Sequence, residues 1–304
     1  MHKYLAFFCL ALGLYPATGY ADPSSVDQVL AQLSSVPGGG SESEVQSAPV
    51  VPVIATPVPA APVPIVPFKP SGYGEAGGNY NSVSHNYGNW LGEYLKGEVQ
   101  TDPSNRWNAE ILNQREFRST GVYGNIGNTH IFNEDWFGSV TAGAGDGGLY
   151  LPRYRFDAFI NKKWLEDRQL ITTLGVGMDK AMDPHRDASV FLGATYYFKT
   201  PWIIQGGIRL NNSNPGNINS TSQFIAVTQG ENKKHFITLR YGFGHEAYQV
   251  IGPGQVLSDF PSQQVSLELR QWVGSDWGFN LSGERYHNPN YDRTGINIGL
   301  FIEF

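Results

Sequence analysis

The stretch Thr294-Gly295-Ile296-Asn297-Ile298-Gly299-Leu300-Phe301-Ile302-Glu303-Phe304 sets Ile296, Ile298, Leu300, Ile302 and Phe304 on one face of an extended strand. An apolar residue at every second position is the period of a strand with one buried or lipid-facing side, and no helix of period 3.6 produces it. The alternation runs to the final residue. Working backward from it, Trp277 to His287 sets Trp277, Phe279 and Leu281 against Asn280, Ser282 and Glu284. Ser262 to Gly274 sets Val265, Leu267 and Leu269 against Gln264, Ser266, Glu268 and Arg270. Asp187 to Lys199 carries Val190, Leu192, Ala194, Tyr196 and Phe198 on one side, and Gln169 to Lys180 carries Leu170, Thr172, Leu174, Val176 and Met178.

A soluble sandwich alternates as well, so length and composition have to separate the two. These segments run to about 10 to 13 residues, beyond the usual soluble strand and matched to a tilted strand that crosses a bilayer. Aromatics make up 13% of the chain and Asp, Glu, Lys and Arg only 16%, short of the charge that a soluble surface carries. Rings gather near strand ends, at Trp136, Trp164, Tyr196, Tyr197, Trp202, Trp272, Trp277 and Tyr286, where a membrane interface favours them. No stretch approaches 18 consecutive apolar residues, so helical spans are excluded. The fold class expected is all-β, an antiparallel transmembrane β-barrel. The apolar ending on Ile298, Leu300, Ile302 and Phe304 resembles the C-terminal signal by which barrel-assembly machinery recognises its clients.

Residues 1–21 read as a signal peptide: Lys3, the apolar run Tyr4 to Leu14, and a small-residue site at Gly19-Tyr20-Ala21. The single cysteine, Cys9, falls inside it, which leaves no thiol for a disulfide or metal site after export. Residues 22–71 read as a periplasmic leader, with a short helix over Ser24 to Val36 and a disordered, proline-rich tether from Pro49 to Pro70. Residues 72–304 form the barrel.

Connections alternate between short (Ile131–Glu134, Leu165–Arg168, Lys199–Pro201, Gly230–Lys233, Gly274–Asp276) and long (Gly145–Pro152, Lys180–Arg186, Asn211–Asn219, His245–Pro261, His287–Arg293). Short periplasmic turns and longer outer loops place the C-terminus in the periplasm. Thirteen strands are countable from Trp90, and a fourteenth at about Gly77 to His85 makes the number even; 12 is the alternative.

The strings Tyr154-Arg155-Phe156-Asp157, Tyr197-Phe198-Lys199-Thr200-Pro201-Trp202, Arg240-Tyr241-Gly242-Phe243-Gly244-His245-Glu246-Ala247-Tyr248 and Asn290-Tyr291-Asp292-Arg293 through Phe304 resemble the YaiO family of outer-membrane β-barrel proteins. The resemblance covers about residues 86–304 and leaves the leader unmatched. It implies an outer-membrane location in a Gram-negative bacterium. Some relatives belong with envelope polysaccharide machinery, which makes glycan export or surface glycan handling an expectation.

With the apolar faces turned to lipid, Arg155, Asp157, Asp179, Arg209, Arg240, Glu268, Arg270 and Glu284 face the lumen. Mixed signs at short range either prop the barrel through salt bridges or line a path for a hydrophilic solute. No ring of one sign appears, so anion selectivity is not indicated. The catalytic candidate is His245 beside Glu246, with Ser258 and Ser262 nearby, but no recognisable Ser/His arrangement accompanies them. The structural reading of that pair is preferred and no enzyme is expected. The histidines lack metal spacing, and Ala142 to Gly148 lacks the Lys-Ser or Lys-Thr of a phosphate loop, which makes it a plain loop. No metal, cofactor or nucleic-acid partner is expected. The partners expected are outer-membrane lipid, the assembly machinery and a periplasmic or polysaccharide component. Tyr150, Tyr248 and Tyr291 read as outer-loop or belt rings able to stack on sugars. Passage of a hydrophilic solute or polysaccharide leads, ahead of a structural or receptor-like closed barrel and then a lipid- or glycan-modifying enzyme.

Overall fold

The computed structural model describes residues 68–304. The expected signal peptide, helix and most of the proline-rich tether lie outside the described residues. Fourteen strands follow one another: β1 Ser71–Val83, β2 Trp90–Asp102, β3 Asn105–Glu116, β4 Ser119–Ile131, β5 Trp136–Gly147, β6 Pro152–Trp164, β7 Leu170–Ala181, β8 Arg186–Tyr197, β9 Trp202–Asn214, β10 Ile218–Glu231, β11 His235–Gly252, β12 Gln255–Trp272, β13 Trp277–His287 and β14 Asp292–Glu303. Each pairs antiparallel with its sequence neighbours, and β1 pairs with β14 from Tyr73↔Glu303 to Val83↔Arg293, which closes the sheet into a barrel. The even number of 14 agrees with the alternation, and closure leaves no sheet edge unpaired in lipid.

The decisive strand behaves as its period requires. Ile298, Leu300, Ile302 and Phe304 are 59–66% exposed, while Asn297 and Phe301 on the opposite parity are 2% exposed. Leu95, Ile111, Ile126, Val176, Leu192, Leu239 and Leu267 repeat that outward exposure around the wall. Such a continuous apolar exterior has no place in water and is what a bilayer core demands. At the end that holds the barrel's own first and last residues, Trp136, Trp164, Trp202 and Trp277 stand outward as an aromatic girdle.

Four expectations are corrected. Tyr197, Trp272 and Tyr286 are not girdle rings: they sit on the opposite parity and are buried inside. Strand β1 starts at Ser71, earlier than the expected Gly77, because its glycines serve the sheet. A Cβ at Gly77 would stand 2.4 Å from the Tyr94 hydroxyl and 2.5 Å from the Ile298 carbonyl, so only glycine lets Tyr94 lie across the wall and donate to Glu75 at 2.8 Å. Likewise Ala142 to Gly147 is strand β5 and not a loop, since the Tyr123 ring lies over Gly143; the connection is only 148–151.

The largest correction concerns His245–Pro261. Instead of a long loop, β11 and β12 continue as 18-residue strands, paired as far as Gly252↔Gln255. Polar residues interrupt the alternation there, so the stretch reads as loop, while cross-strand bonding carries the ladder on past the membrane. The remaining connections at that end, such as 117–118, 182–185 and 215–217, are short. The two ends therefore differ by one extended hairpin and not by loop length throughout.

Candidate functional site

The interior of the barrel is built in layers because every strand turns alternate residues inward. At the end holding the termini, Phe137, Ile171, Tyr197, Ile203, Phe236, Trp272 and Phe301 meet as a buried apolar cluster contributed by seven strands. Phe236 and Trp272 cross edge to face at 5.9 Å, as do Trp272 and Phe301 at 5.3 Å. These side chains all come from the wall and point into the barrel at that end.

Charged residues are interleaved with this cluster. The Arg270 guanidinium stacks 3.4 Å from the Phe301 ring centroid and 4.8 Å from that of Trp272, and pairs with Glu75 and with Glu303, each at 3.5 Å. Lys96 meets Glu75 from β2 at 3.5 Å, and the Trp272 indole N–H donates to Glu303 at 3.2 Å. A guanidinium with two carboxylates and two rings compensates the cost of removing it from water.

The middle of the lumen is polar with aromatic islands. Arg240 stacks over Phe224 at 3.7 Å. Arg155 Nε donates to Asp157 at 2.6 Å, and Arg209 donates to Ser189 at 2.8 Å. Of the eight residues expected to face inward, Asp157, Arg209, Arg270 and Glu284 are buried, and Arg155, Asp179, Arg240 and Glu268 keep partial exposure to the lumen. They do not form one site. Arg155, Asp157, Asp179 and Arg209 share the β6–β9 side, and Arg240, Glu268 and Arg270 the β11–β12 side.

At the opposite end Trp90, Phe117, Tyr286, Tyr291 and Val83 form a second buried cluster, against which Tyr87, Ile251 and Leu257 pack. Arg293 lies 4.9 Å from the Trp90 ring and 4.8 Å from that of Tyr286. Its Nε stands 2.9 Å from Glu284 Oε1 off the N–H axis, which makes the contact an ion pair and not a linear hydrogen bond. Tyr150, with Leu112, Tyr123 and Leu151, forms a further buried cluster at this end. Tyr150 and Tyr291 are therefore core residues of the mouth and do not offer their rings to a ligand outside.

The extended hairpin is fastened over this mouth on two sides. On one side Ile251 and Leu257 pack against the cluster of Val83, Trp90, Phe117, Tyr286 and Tyr291, and Gln249 donates to the Tyr291 hydroxyl at 2.7 Å. On another side Tyr248 stacks on His185 at 3.5 Å and donates its hydroxyl to Asp183, in the connection between β7 and β8. Burial works to raise the Asp183 carboxyl, yet the hydrogen bonds from Tyr248 and from the backbone and ring of His185 outweigh it and hold it below the usual carboxylate range.

The catalytic candidate comes apart on this hairpin. Neighbours in a strand point to opposite faces: His245 is outward and exposed, 3.5 Å from Asp259, while Glu246 is 1% exposed inside and accepts the Tyr286 hydroxyl at 2.6 Å. Ser258 lies across from Tyr248 and Ser262 across from Gly244. Among the described residues no group of three or more His, Cys, Asp and Glu could hold a metal ion.

Glu75, Lys96, Arg293 and Glu303 also point inward, beyond the eight expected. Lys96 and Glu303 were legible from the parity of their strands. Glu75 precedes the expected first strand, and Arg293 falls within the expected connection His287–Arg293.

Comparison with known structures supports the architecture. The chain is similar to the CymD monoaromatic hydrocarbon channel, at 6% identity over 77% of this chain and 87% of that one, with a TM-score of 0.52. It is also similar to the toluene transporter TodX of P. putida, at 10% identity over 78% and 90%, with a TM-score of 0.49. Likeness at this identity speaks to fold alone. No curated protein matches the chain. The model of the YaiO membrane β-barrel domain matches residues 72–249, which begins at β1 and takes in the strings at 154–157, 197–202 and 240–248 but not the ending from Asn290. With its closed 14-stranded wall and apolar exterior, the chain is an outer-membrane barrel that belongs to the YaiO membrane β-barrel family.

Proposed function

We propose that this barrel is a gated passage for a hydrophilic solute, closed in the state described, and that envelope polysaccharide is the class of solute it serves. The observation that carries the reading is the order of layers: a polar, mixed-sign middle held between a wall-borne aromatic layer and a hairpin-covered mouth. A lumen meant only to be filled gains little from buried charge, since packed apolar residues in place of buried ion pairs are often neutral or stabilising. Arg155, Asp179, Arg240 and Glu268 keep partial exposure there, as side chains that meet a polar solute must. The function is not enzymatic on this reading, consistent with His245 and Glu246 on opposite faces. The polysaccharide component and the assembly machinery are the partners it implies, and the end holding the termini faces the periplasm.

A permanently closed barrel is the second reading, favoured by the aromatic layer sitting on wall strands that cannot swing aside. Reconstitution in planar bilayers separates them. The wild-type protein is expected to show no steady conductance. Replacing 247–259 by an Asn-Gly turn, which fits the Glu246↔Phe260 pairing, together with Phe301→Ala and Phe236→Ala, is expected to give stable openings that oligosaccharides block. Absence of openings in that folded variant sinks the passage, and stable openings in the wild type sink the closed resting state.

A further inference from the structure

Where β6 to β9 approach the hairpin end, the outside of the wall is dented by a groove of about 370 Å³. The register explains its shape. Phe156, Met178, Ala188 and Asn212 stand side by side in one outward row, and the Ala188 methyl leaves the dent between the longer Met178 and Asn212. The next row toward the mouth holds Tyr154, Lys180 and Arg186. The row on the other side, Ala158, Val176, Val190 and Leu210, is wholly apolar and continues the groove onto the lipid-facing band.

Charge and height then select the occupant. Lys180 Nζ donates to the carbonyls of Asp183 and His185 at 2.7 and 3.1 Å, so two of its three donors hold the loop while its charge stays uncompensated. Arg186 is exposed beside it. Among the described residues neither cation makes an ion pair. The carboxylates of the same strands, Asp157, Asp179 and Asp187, take the inward parity, and Asp183 is engaged by His185 and Tyr248. Leu170, which pairs with Trp164 of the girdle, lies ten residues below Lys180. At about 3.3 Å per residue and a tilt of about 40°, that puts the two cations about 25 Å above the girdle, at the opposite headgroup level. The longer connection lies on the extracellular side of such barrels, so this level belongs to the outer leaflet.

We propose that the groove binds the phosphorylated, acylated glycolipid of the outer leaflet, with a phosphate on Lys180 and Arg186 and an acyl chain in the dent at Ala188. The site lies outside the lumen and is independent of whether anything passes through it. Arginine and lysine side by side give the planar donors and the point charge that phosphate takes up, and the chain runs down past Phe156, Met178 and Ala188 onto the apolar row below.

The test is native mass spectrometry of the full-length barrel in mild detergent with three added probes: bis-phosphorylated lipid A, its dephosphorylated form and phosphatidylethanolamine. Wild type is expected to retain lipid A, and to retain the dephosphorylated form about tenfold less. The K180Q/R186Q pair is expected to lower lipid A retention about tenfold. Ala188→Trp, which fills the dent and leaves both cations, is expected to lower it as well. Heat-modifiable migration on gels checks that each variant folds, and where the double variant fails, Ala188→Trp and the dephosphorylated probe decide. Equal retention of lipid A and phosphatidylethanolamine overturns the proposal by showing only generic lipid contact. Unchanged retention in the folded variants overturns it too, and so does full displacement by inorganic phosphate, which would make the site one for the free ion.

Discussion

Arg293 shows how one inward residue holds the mouth together. It neutralises Glu284, stacks near Trp90 and Tyr286, and is 2% exposed. Removing one partner of a buried pair leaves the other charge without compensation and costs about 3–5 kcal/mol, more than the pair itself contributes. Arg293→Met is therefore expected to lower unfolding stability in urea by about 3–5 kcal/mol, and Glu284→Gln in the same chain to restore part of it. Equal stability of Arg293→Met and wild type would show that the ion pair holds nothing. The pair His245 and Glu246 teaches the reverse lesson at this scale. Adjacent in sequence and chemically suited to each other, they are separated by the strand period, which was legible only once the segment was known to be a strand.

At the scale of the element, β14 and the β11–β12 hairpin mark the limits of period two. In β14 the outward row runs unbroken from Ile296 to Phe304, and its depth in the bilayer sets the cost of a charge. Ile298→Arg, near the strand's middle, is expected to cost about 2–4 kcal/mol in vesicle unfolding, and Phe304→Arg at the end about 0–1. Equal costs at both positions would contradict the membrane placement. In the hairpin the outward residues no longer face hydrocarbon, so selection for apolar side chains lapses and the pattern dissolves from His245 onward. The backbone ladder persists because it depends on paired amides and carbonyls and not on side-chain polarity. That is why a segment continuous with its strands looks like a loop in sequence.

For the whole molecule, closure of β1 on β14 makes residues 71–304 a complete sheet. Deleting residues 22–67 is expected to leave heat-modifiable migration and thermal unfolding of the barrel unchanged; loss of either would show that the leader helps to hold the wall. The sequence by itself determined the fold class, the lipid face and the inward parity of Arg155, Asp157, Asp179, Arg209, Arg240, Glu268, Arg270 and Glu284, and it narrowed the strand number to 14 or 12, between which closure of the sheet decided. It could do so because a bilayer imposes a strict period on every strand that crosses it. Only the tertiary structure decided which inward residues meet, that Tyr197, Trp272 and Tyr286 are buried inside the barrel instead of ringing the membrane, and that the β11–β12 hairpin packs over the mouth. Those contacts join strands far apart in the chain, from Phe137 to Phe301 in one layer, and their distances follow from the closed curvature of the wall, which no local pattern encodes.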